Sequence, residues 1–242
     1  MGPAANMAIP VLMVTLKDPM EDVRAASALA LGQFGADAKA AVPVLIEALE
    51  EPFRVSGSAA NALGKIGPSA KAAIPALNAA MKHDDARLRI TAANALLHID
   101  PQAVAATAVI VDVLENGEVI DRRTAAMYAG RIGSNGEAIV PALLEALADD
   151  NAKLRIAAAE SLHYIDPSAR DFVAIIVNAL ADDDATVRRT AVLSLGRLGP
   201  DAKAAIPALT QARSDDDKKV RHAASEALYL IQSAASGSPQ SN

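Results

Sequence analysis

The chain has 242 residues, a formal net charge of −6 and no cysteine. The acidic balance disfavours general nucleic-acid binding, which requires a broad positive field. The lack of cysteine excludes disulfides and thiol chemistry but leaves the compartment open, with the cytoplasm favoured. No apolar run approaches the roughly 18 residues of a membrane span, so we predict no membrane insertion.

A short motif recurs along the chain. Residues 34–43, 66–75 and 198–207 all contain Gly-x-x-Ala-Lys-Ala-Ala followed by Val or Ile and then Pro. The related prolines at 10, 43, 75, 141 and 207 are 33, 32, 66 and 66 residues apart, which leaves room for two copies without proline near Ala108 and Ala174. A fixed period of about 33 residues is typical of stacked helical repeats. We therefore predict seven two-helix repeats.

The first repeat shows how each copy is built. Its first helix has apolar residues at Ile9, Leu12, Met13 and Leu16, one face of an amphipathic helix, with Pro10 in the first turn. Asp18 is predicted to cap the second helix, with Pro19 as its first residue and Glu21 completing a capping box. Gly35 should end this helix in a left-handed conformation. The predicted interior residues of the second helix are Val23, Ala26, Ser27, Ala30, Leu31 and Phe34.

The remaining repeats follow in order to about residue 233, and we expect residues 234–242, which are small and polar, to be disordered. The first helix of the seventh repeat is more polar than the first helices of the other repeats, as in a capping repeat that faces water. Residues 1–10 instead match the recurring motif, with Met1 in the place of Ile66. This predicts that the chain begins between two repeats of a longer parent. The uncovered face of the N-terminal repeat could then support self-association.

An arginine recurs near the start of the second helices, at Arg24, Arg89, Arg122, Arg155, Arg188 and Arg221, with Ser56 as the exception. Acids precede it at Asp18, Asp149, Asp182 and Asp215. Repeats that stack about 10 Å apart would align these charges along one edge. We interpret them as an ion-paired ladder that fixes the repeat register. A phosphate-binding arginine row is the alternative.

The residues Asp18, Val23-Arg24, Ala26, Leu31-Gly32 and Phe34-Gly35 form a pattern that resembles the short HEAT repeat of bacterial phycobilisome-lyase-like proteins. The sixth repeat keeps the spacing, with Thr190 in the place of Ala26. The resemblance covers residues 1 to about 233. It implies an all-α, right-handed alpha solenoid whose first helices are convex and whose second helices are concave. For function it implies mostly protein–protein scaffolding, with enzymatic roles in some members.

Two enzymatic relatives lack support in the sequence. Relatives of the deoxyhypusine hydroxylase type hold iron with His-Glu pairs, and none of the four histidines is followed by Glu. HEAT-like DNA glycosylases use a basic groove with aromatic residues, whereas this chain is acidic and has only three Tyr, three Phe and no Trp. We therefore predict a non-enzymatic interaction scaffold with no catalytic, cofactor-binding or metal-binding residue. The alternatives are a subunit of a bilin lyase or related protein-modifying enzyme, and a structural spacer.

The candidate binding residues lie on the second helices, opposite the predicted interior. Apolar residues and arginines are unusually frequent at these positions for a solvated helix face, and this mixture is typical of interface cores. We predict that they bind a protein or peptide segment of acidic and apolar character on the concave face. The set is Ile90, Arg123, Met127, Arg131, Ile156, Glu160, Tyr164, Arg189, Leu193 and Arg197.

Overall fold

A computed structural model describes residues 3–166 and 171–235 of the chain, and these residues form helices, turns and connecting segments without strands. The fourteen α-helices of this described part are α1 (Pro3–Thr15), α2 (Glu21–Gln33), α3 (Val42–Glu47), α4 (Phe53–Ile66), α5 (Ile74–Ala80), α6 (Ala86–Ile99), α7 (Val104–Asn116), α8 (Val119–Ala129), α9 (Val140–Ala146), α10 (Ala152–Ile165), α11 (Asp171–Asn178), α12 (Ala185–Leu198), α13 (Ile206–Ala212) and α14 (Lys218–Ala235). They form seven consecutive pairs. The prediction of seven two-helix repeats is confirmed.

The chain divides into two compact units, Met1–Asp121 and Arg122–Asn242, and the division falls within α8. In the first unit, the second helices of successive repeats pack side by side, α2 on α4 and α4 on α6. In the second unit, α10 packs on α12 and α12 on α14. Each unit is therefore a stack in which a repeat buries its apolar face against its neighbours, as expected for a solenoid.

The recurring motif forms a 3-10 helix between repeats, at Gly35–Ala41, Gly67–Ala73 and Gly199–Ala205. The glycine that opens each segment has a positive φ, as predicted for Gly35. In Gly67 and Gly199, this positive φ is combined with ψ values of −142° and −128°, respectively. These values lie outside the left-handed helical region that was predicted for this kind of cap, in a region that is essentially restricted to glycine. The glycine therefore turns the chain abruptly into the next repeat.

The predicted cap of α2 is wrong in its register. The helix begins at Glu21, so Met20 occupies the N-cap position and Pro19 precedes the helix. Asp18 Oδ1 accepts a hydrogen bond from the Met20 amide at 2.8 Å. Asp85 and Asp184, by contrast, occupy the N-cap position itself and accept hydrogen bonds from the amides of Arg87 and Thr186. The carboxylates thus satisfy amides that have no partner inside the helix.

The recurring arginine binds the turn that precedes its own helix. Its Nη1 donates to two backbone carbonyls, five and six residues earlier, at 2.7–3.1 Å, in Arg24, Arg89, Arg155, Arg188 and Arg221. These carbonyls lie between the two helices of a repeat. Each of these arginines therefore fixes the angle at which its second helix leaves the turn.

Three of the recurring arginines, Arg24, Arg122 and Arg188, also join successive repeats. Carboxylates 27 residues further along the chain pair with them, in Arg24–Glu51 at 2.8 Å, Arg122–Asp149 at 2.6 Å and Arg188–Asp215 at 2.8 Å. The predicted ladder is confirmed for Asp149 and Asp215, and Glu51 was not predicted. Asp18 and Asp182 accept hydrogen bonds from backbone amides instead.

Glycines allow close contact between second helices. A Cβ atom on Gly64 would lie 3.0 Å from the Ala95 Cα, and one on Gly196 would lie 3.2 Å from the Ala227 Cβ. The fifth repeat has His163 at the position of these glycines. This ring is buried, and its Nε2 lies 3.3 Å from the Asp201 carboxylate.

The second helices bury more of their surface than one apolar stripe. In α10, all side chains from Ile156 to His163 are buried, and Tyr164 is exposed. Helix α10 contacts α9, α11, α12 and the 3-10 segment that follows α8, so only a narrow stripe of it remains at the surface. The predicted interior of α2 is also wrong in part: Ala26, which was predicted to be interior, is exposed, whereas Ala25 and Ala28, which were not, are buried.

The two ends of the chain bear on the remaining sequence predictions. Helix α14 continues to Ala235, and residues 236–242 of the expected disordered tail lie outside the described residues. At the other end, α1 exposes the apolar side chains of Met7, Val11 and Val14. Self-association through this face stays a prediction.

The contact between Gly64 and Ala95 can be tested by adding volume. We expect Gly64→Leu to lower the free energy of unfolding by about 2 kcal/mol, because overpacking against the Ala95 backbone outweighs about 1 kcal/mol gained in helix propensity. Urea unfolding followed by circular dichroism measures the change. Ala26→Leu adds volume at an exposed site of α2 and should change stability by less than about 0.5 kcal/mol. Equal effects of the two substitutions would contradict the close contact.

The Arg188–Asp215 pair should make stability depend on pH. The Arg188 guanidinium, which donates two hydrogen bonds to Asp215, lowers the pKa of this carboxyl below its usual value of 3.8. Because the pKa of Asp215 is lower in the folded than in the unfolded state, its ionised form stabilises the fold at any pH above the unfolded-state pKa. This stabilisation is lost as the pH falls through the folded-state pKa. We therefore expect Asp215→Asn to reduce the melting temperature at pH 7 and to resemble the wild type at a pH below the folded-state pKa of Asp215. The control is Asp216→Asn, in an exposed neighbour, and an identical reduction there would refute the assignment.

Candidate binding surface

The structure places eight of the ten predicted binding residues in the second unit, with at least part of the side chain at the surface or lining a hollow. These are Arg123, Met127, Arg131, Glu160, Tyr164, Arg189, Leu193 and Arg197. Ile90 and Ile156 are buried, with exposed fractions of 0% and 2%. Their assignment to a partner-facing surface is wrong, because neighbouring helices cover this part of α6 and α10.

Five of the predicted residues meet in one hollow of about 470 Å³, which we call the Tyr164 hollow. Its lining comes from α8, α10, α12 and the first residues after α8, and consists of Met127, Gly130, Arg131, Ala157, Glu160, Ser161, Tyr164 and Arg197. Gly130, Ala157 and Ser161 are small residues that leave the space open. Sequence reasoning missed them because it looked for large or charged side chains.

Glu160 is the buried acid of the Tyr164 hollow. Its Oε1 accepts from Arg197 Nε at 2.7 Å, and its Oε2 accepts from Arg197 Nη2 at 2.7 Å and from Ser194 Oγ at 2.6 Å. Both oxygens of this buried carboxylate are therefore hydrogen-bonded, two of the three bonds coming from a guanidinium. The Arg197 pKa is correspondingly raised, mainly by the hydrogen bonds to Glu160. The Glu160 carboxylate therefore holds Arg197 in one orientation at the edge of the hollow.

Tyr164 and Arg131 offer polar atoms that the protein itself leaves available. Burial is the main cause that raises the Tyr164 pKa above its usual value of 10, so the phenol stays protonated and can donate a hydrogen bond at neutral pH. The Arg131 guanidinium lies 5.4 Å from the centre of the Tyr128 ring, a cation–π contact. The structure describes no side chains for residues 133–137; among the side chains that it does describe, no carboxylate lies within ion-pair distance of Arg131.

The two serine hydroxyl groups near the hollow already donate hydrogen bonds within the protein. Ser161 Oγ donates to the Ala126 carbonyl at 2.6 Å, and Ser194 Oγ donates to Glu160. A nucleophilic serine would need a free base within reach, whereas the Glu160 carboxylate is occupied by Arg197. The geometry of this hollow therefore favours binding through the Met127, Arg131 and Tyr164 side chains.

Two further predicted residues, Arg189 and Leu193, line a second hollow of about 300 Å³, which we call the Lys218 hollow. The helices α12 and α14 form it, and its other lining residues are Lys218, Lys219, His222, Ala223 and Glu226. The lysines were missed because they lie in the first turn of α14, ahead of the helix positions that were compared between repeats. Arg123 lies half-buried on α8 and lines neither hollow.

The described part of the chain offers neither a metal site nor a membrane span. Among the side chains that the structure describes within residues 3–166 and 171–235, no group of three His, Cys, Asp or Glu could hold a metal ion. No helix in these ranges is both long and apolar enough to cross a membrane.

Solved structures of similar fold include enzymes. A chain from the complex of CpcE and CpcF of phycocyanin lyase from Nostoc sp. PCC7120 matches with a TM-score of 0.62 and 23% identity, covering 93% of this chain and 94% of that one. YibA of Escherichia coli matches with a TM-score of 0.52 and 20% identity over 92% and 94% of the two chains. Human deoxyhypusine hydroxylase matches with a TM-score of 0.42 and 21% identity, over 96% and 86%.

These likenesses correct one prediction. The prediction that the chain is not an enzyme was drawn from its repeats, and it is wrong. A component of a phycocyanin lyase complex has the same fold over nearly the whole length of both chains. The resemblance to phycobilisome-lyase-like HEAT repeats is confirmed at the level of the fold.

The sequence itself was compared with known families and proteins. No curated protein matches it. The family model for HEAT repeats matches residues 3–64, 42–131 and 140–229, most of the chain. The two-helix repeats, their stacking and this match agree, and the chain belongs to the HEAT repeat family.

Proposed function

We propose that the chain binds a protein partner through the second helices of its second unit, with the Tyr164 hollow at the centre. In the layout that the resemblance implies, this is the concave face. The bound segment has both apolar and acidic side chains. The observation that carries the proposal is the position of Arg131, an exposed cation without a carboxylate partner among the described side chains, beside the exposed side chains of Met127 and Tyr164.

The apolar part of the proposal rests on Met127 and Tyr164. Their exposed fractions are 43% and 41%, although they border a hollow with a floor of small residues. A methionine packs against irregular apolar surfaces, and a tyrosine adds apolar area with a polar tip. A partner side chain that entered this hollow would cover both residues and remove apolar surface from water.

The acidic part of the proposal rests on the distribution of charge. Glu160 already neutralises Arg197, whereas the described residues offer Arg131 no carboxylate. A partner carboxylate near Arg131 would gain a charge-assisted hydrogen bond, and the protonated Tyr164 phenol could donate a second one. The acidic total charge of the chain would at the same time oppose non-specific binding of acidic proteins.

A second candidate function is that of a subunit in a lyase or related protein-modifying complex. The likeness to a component of the phycocyanin lyase complex over 93% of this chain motivates it. In such a complex, the same surface would hold the protein that is modified or the second subunit. Co-expression with candidate second subunits and phycocyanin, followed by a search for covalently modified phycocyanin, distinguishes this role from binding alone.

The proposed surface can be tested by site-specific photo-cross-linking. A photoreactive amino acid in place of Met127 should cross-link a partner in lysate of the source cells, and mass spectrometry would identify the attached segment. The same amino acid in place of Glu145, an exposed residue of α9, is the matched control. Equal cross-linking from both positions would refute the surface assignment.

The charge requirement is then tested on the identified segment. We expect Arg131→Glu to weaken its binding at least about tenfold, which corresponds to about 1.4 kcal/mol, because repulsion replaces an ion pair. Isothermal titration calorimetry measures this change, and circular dichroism checks that the fold is intact. The control Arg213→Glu alters an exposed cation outside both hollows and should bind normally. Arg197 is unsuitable for this test, because its replacement would leave Glu160 buried without its partner.

A further inference from the structure

The Lys218 hollow concentrates positive charge on an acidic protein. Arg189, Lys218 and Lys219 line it together with one carboxylate, Glu226, so its lining has a net charge of +2 when His222 is neutral. Within the described residues, the three cations have no carboxylate within ion-pair distance. This sets them apart from Arg188 of the same helix, which is paired with Asp215.

The nearby acids are engaged elsewhere. Asp217 Oδ1 accepts from the backbone amides of Lys219 and Val220, and Asp215 accepts from Arg188 and from the Asp217 amide. Glu226 lies 3.3 Å from His222 Nε2. The first amides of α14 are therefore not available to a ligand, and an anion in this hollow would be bound by the side chains of Arg189, Lys218 and Lys219.

We propose that the Lys218 hollow binds a phosphorylated side chain of the partner segment. A phosphate monoester carries nearly two negative charges at neutral pH and three acceptor oxygens, which matches a net charge of +2 and three cationic donors. A single carboxylate would leave one positive charge uncompensated. The apolar side chains of Leu193 and Ala223 complete the lining and can pack against the neighbouring residue of the peptide.

The position of the hollow gives the spacing of the phosphorylated residue. Arg189, Leu193 and Arg197 are four residues apart on α12 and form one stripe, with Arg189 and Leu193 in the Lys218 hollow and Arg197 in the Tyr164 hollow. Eight helical residues span about 12 Å. An extended peptide covers this distance in about four residues. This spacing rests on the proposed function, since it requires that one segment occupies both hollows.

The site can be tested without the natural partner. The probes are the peptides acetyl-Ala-phosphoserine-Ala-amide, its unphosphorylated form and its glutamate analogue, each titrated into the full ¹⁵N-labelled chain at constant ionic strength. We expect the phosphopeptide to shift the backbone signals of Lys218, Lys219 and His222 saturably, with a Kd at least about fivefold below that of the glutamate analogue. No saturable shift, or equal affinity for both peptides, would overturn the phosphate assignment.

Two double variants separate site binding from general charge effects. Arg189→Gln with Lys219→Gln should lose the saturable shifts, while Lys203→Gln with Arg213→Gln, at two exposed cations outside the hollow, should keep them. Equal losses would show non-specific attraction and refute the site. The Arg131→Glu variant should still bind the phosphopeptide, so a failure of the Tyr164 hollow as a partner site is distinguishable from a failure of this one.

Discussion

The stacking of the repeats depends on the hydrogen bonds and ion pairs made by the recurring arginine at the start of the second helices. In five repeats it donates to carbonyls of the preceding turn, and in three it binds a carboxylate of the following repeat. In Arg24 and Arg188, one side chain thus fixes both the angle inside a repeat and the register between repeats. An isolated surface ion pair contributes little stability, but a guanidinium with several fixed acceptors has one strongly preferred geometry. Helix packing then follows from positions that the turns have already set.

This use of arginine also decides which cations are available for binding. Arg188 and Arg189 are adjacent in sequence, yet Arg188 is bound to a turn and to Asp215, whereas Arg189 lines the Lys218 hollow. Because successive residues of a helix point about 100° apart, the first faces the turn and the second faces the exposed stripe. An acidic chain can therefore carry a positive binding surface. The arginines that hold the turns and those of the proposed binding surface differ in their position along the helix and not in residue type.

Most of the fold could be predicted from the sequence because its signals are periodic. The proline spacing located all seven repeats, and the arginine spacing indicated a ladder that the structure confirms at Asp149 and Asp215. Burial on the second helices was harder to predict. A pattern with one apolar stripe assumes that one side of the helix is covered, whereas α10 is covered by α9, α11, α12 and the 3-10 segment after α8. Ile156 is therefore buried, although it lies opposite the predicted stripe.

The candidate site was predicted only in part for a related reason. Large side chains such as Met127 and Tyr164 are visible in a sequence, but the space between them depends on small residues in contact across helices, such as Gly130 and Ser161. In the sequence alone, these small residues cannot be distinguished from the many other small residues at helix contacts. Their role is evident only when the relative positions of the helices are known. The exclusion of an enzyme failed differently, because the repeats specify a fold that enzymes share.

The bonds between Glu160 and Arg197 have a consequence for the entropy of binding. Two hydrogen bonds to a carboxylate that is itself held by Ser194 restrict the rotamers of Arg197 before any partner arrives. Ordering a free side chain at an interface costs about 0.5–1.5 kcal/mol, and most of this cost is already met for Arg197 within the folded protein. Arg131, held by one aromatic ring, would still have to be ordered. The surface thus combines a rigid recognition point with an adaptable one, and a partner of different shape would be accommodated at the Arg131 side of the hollow.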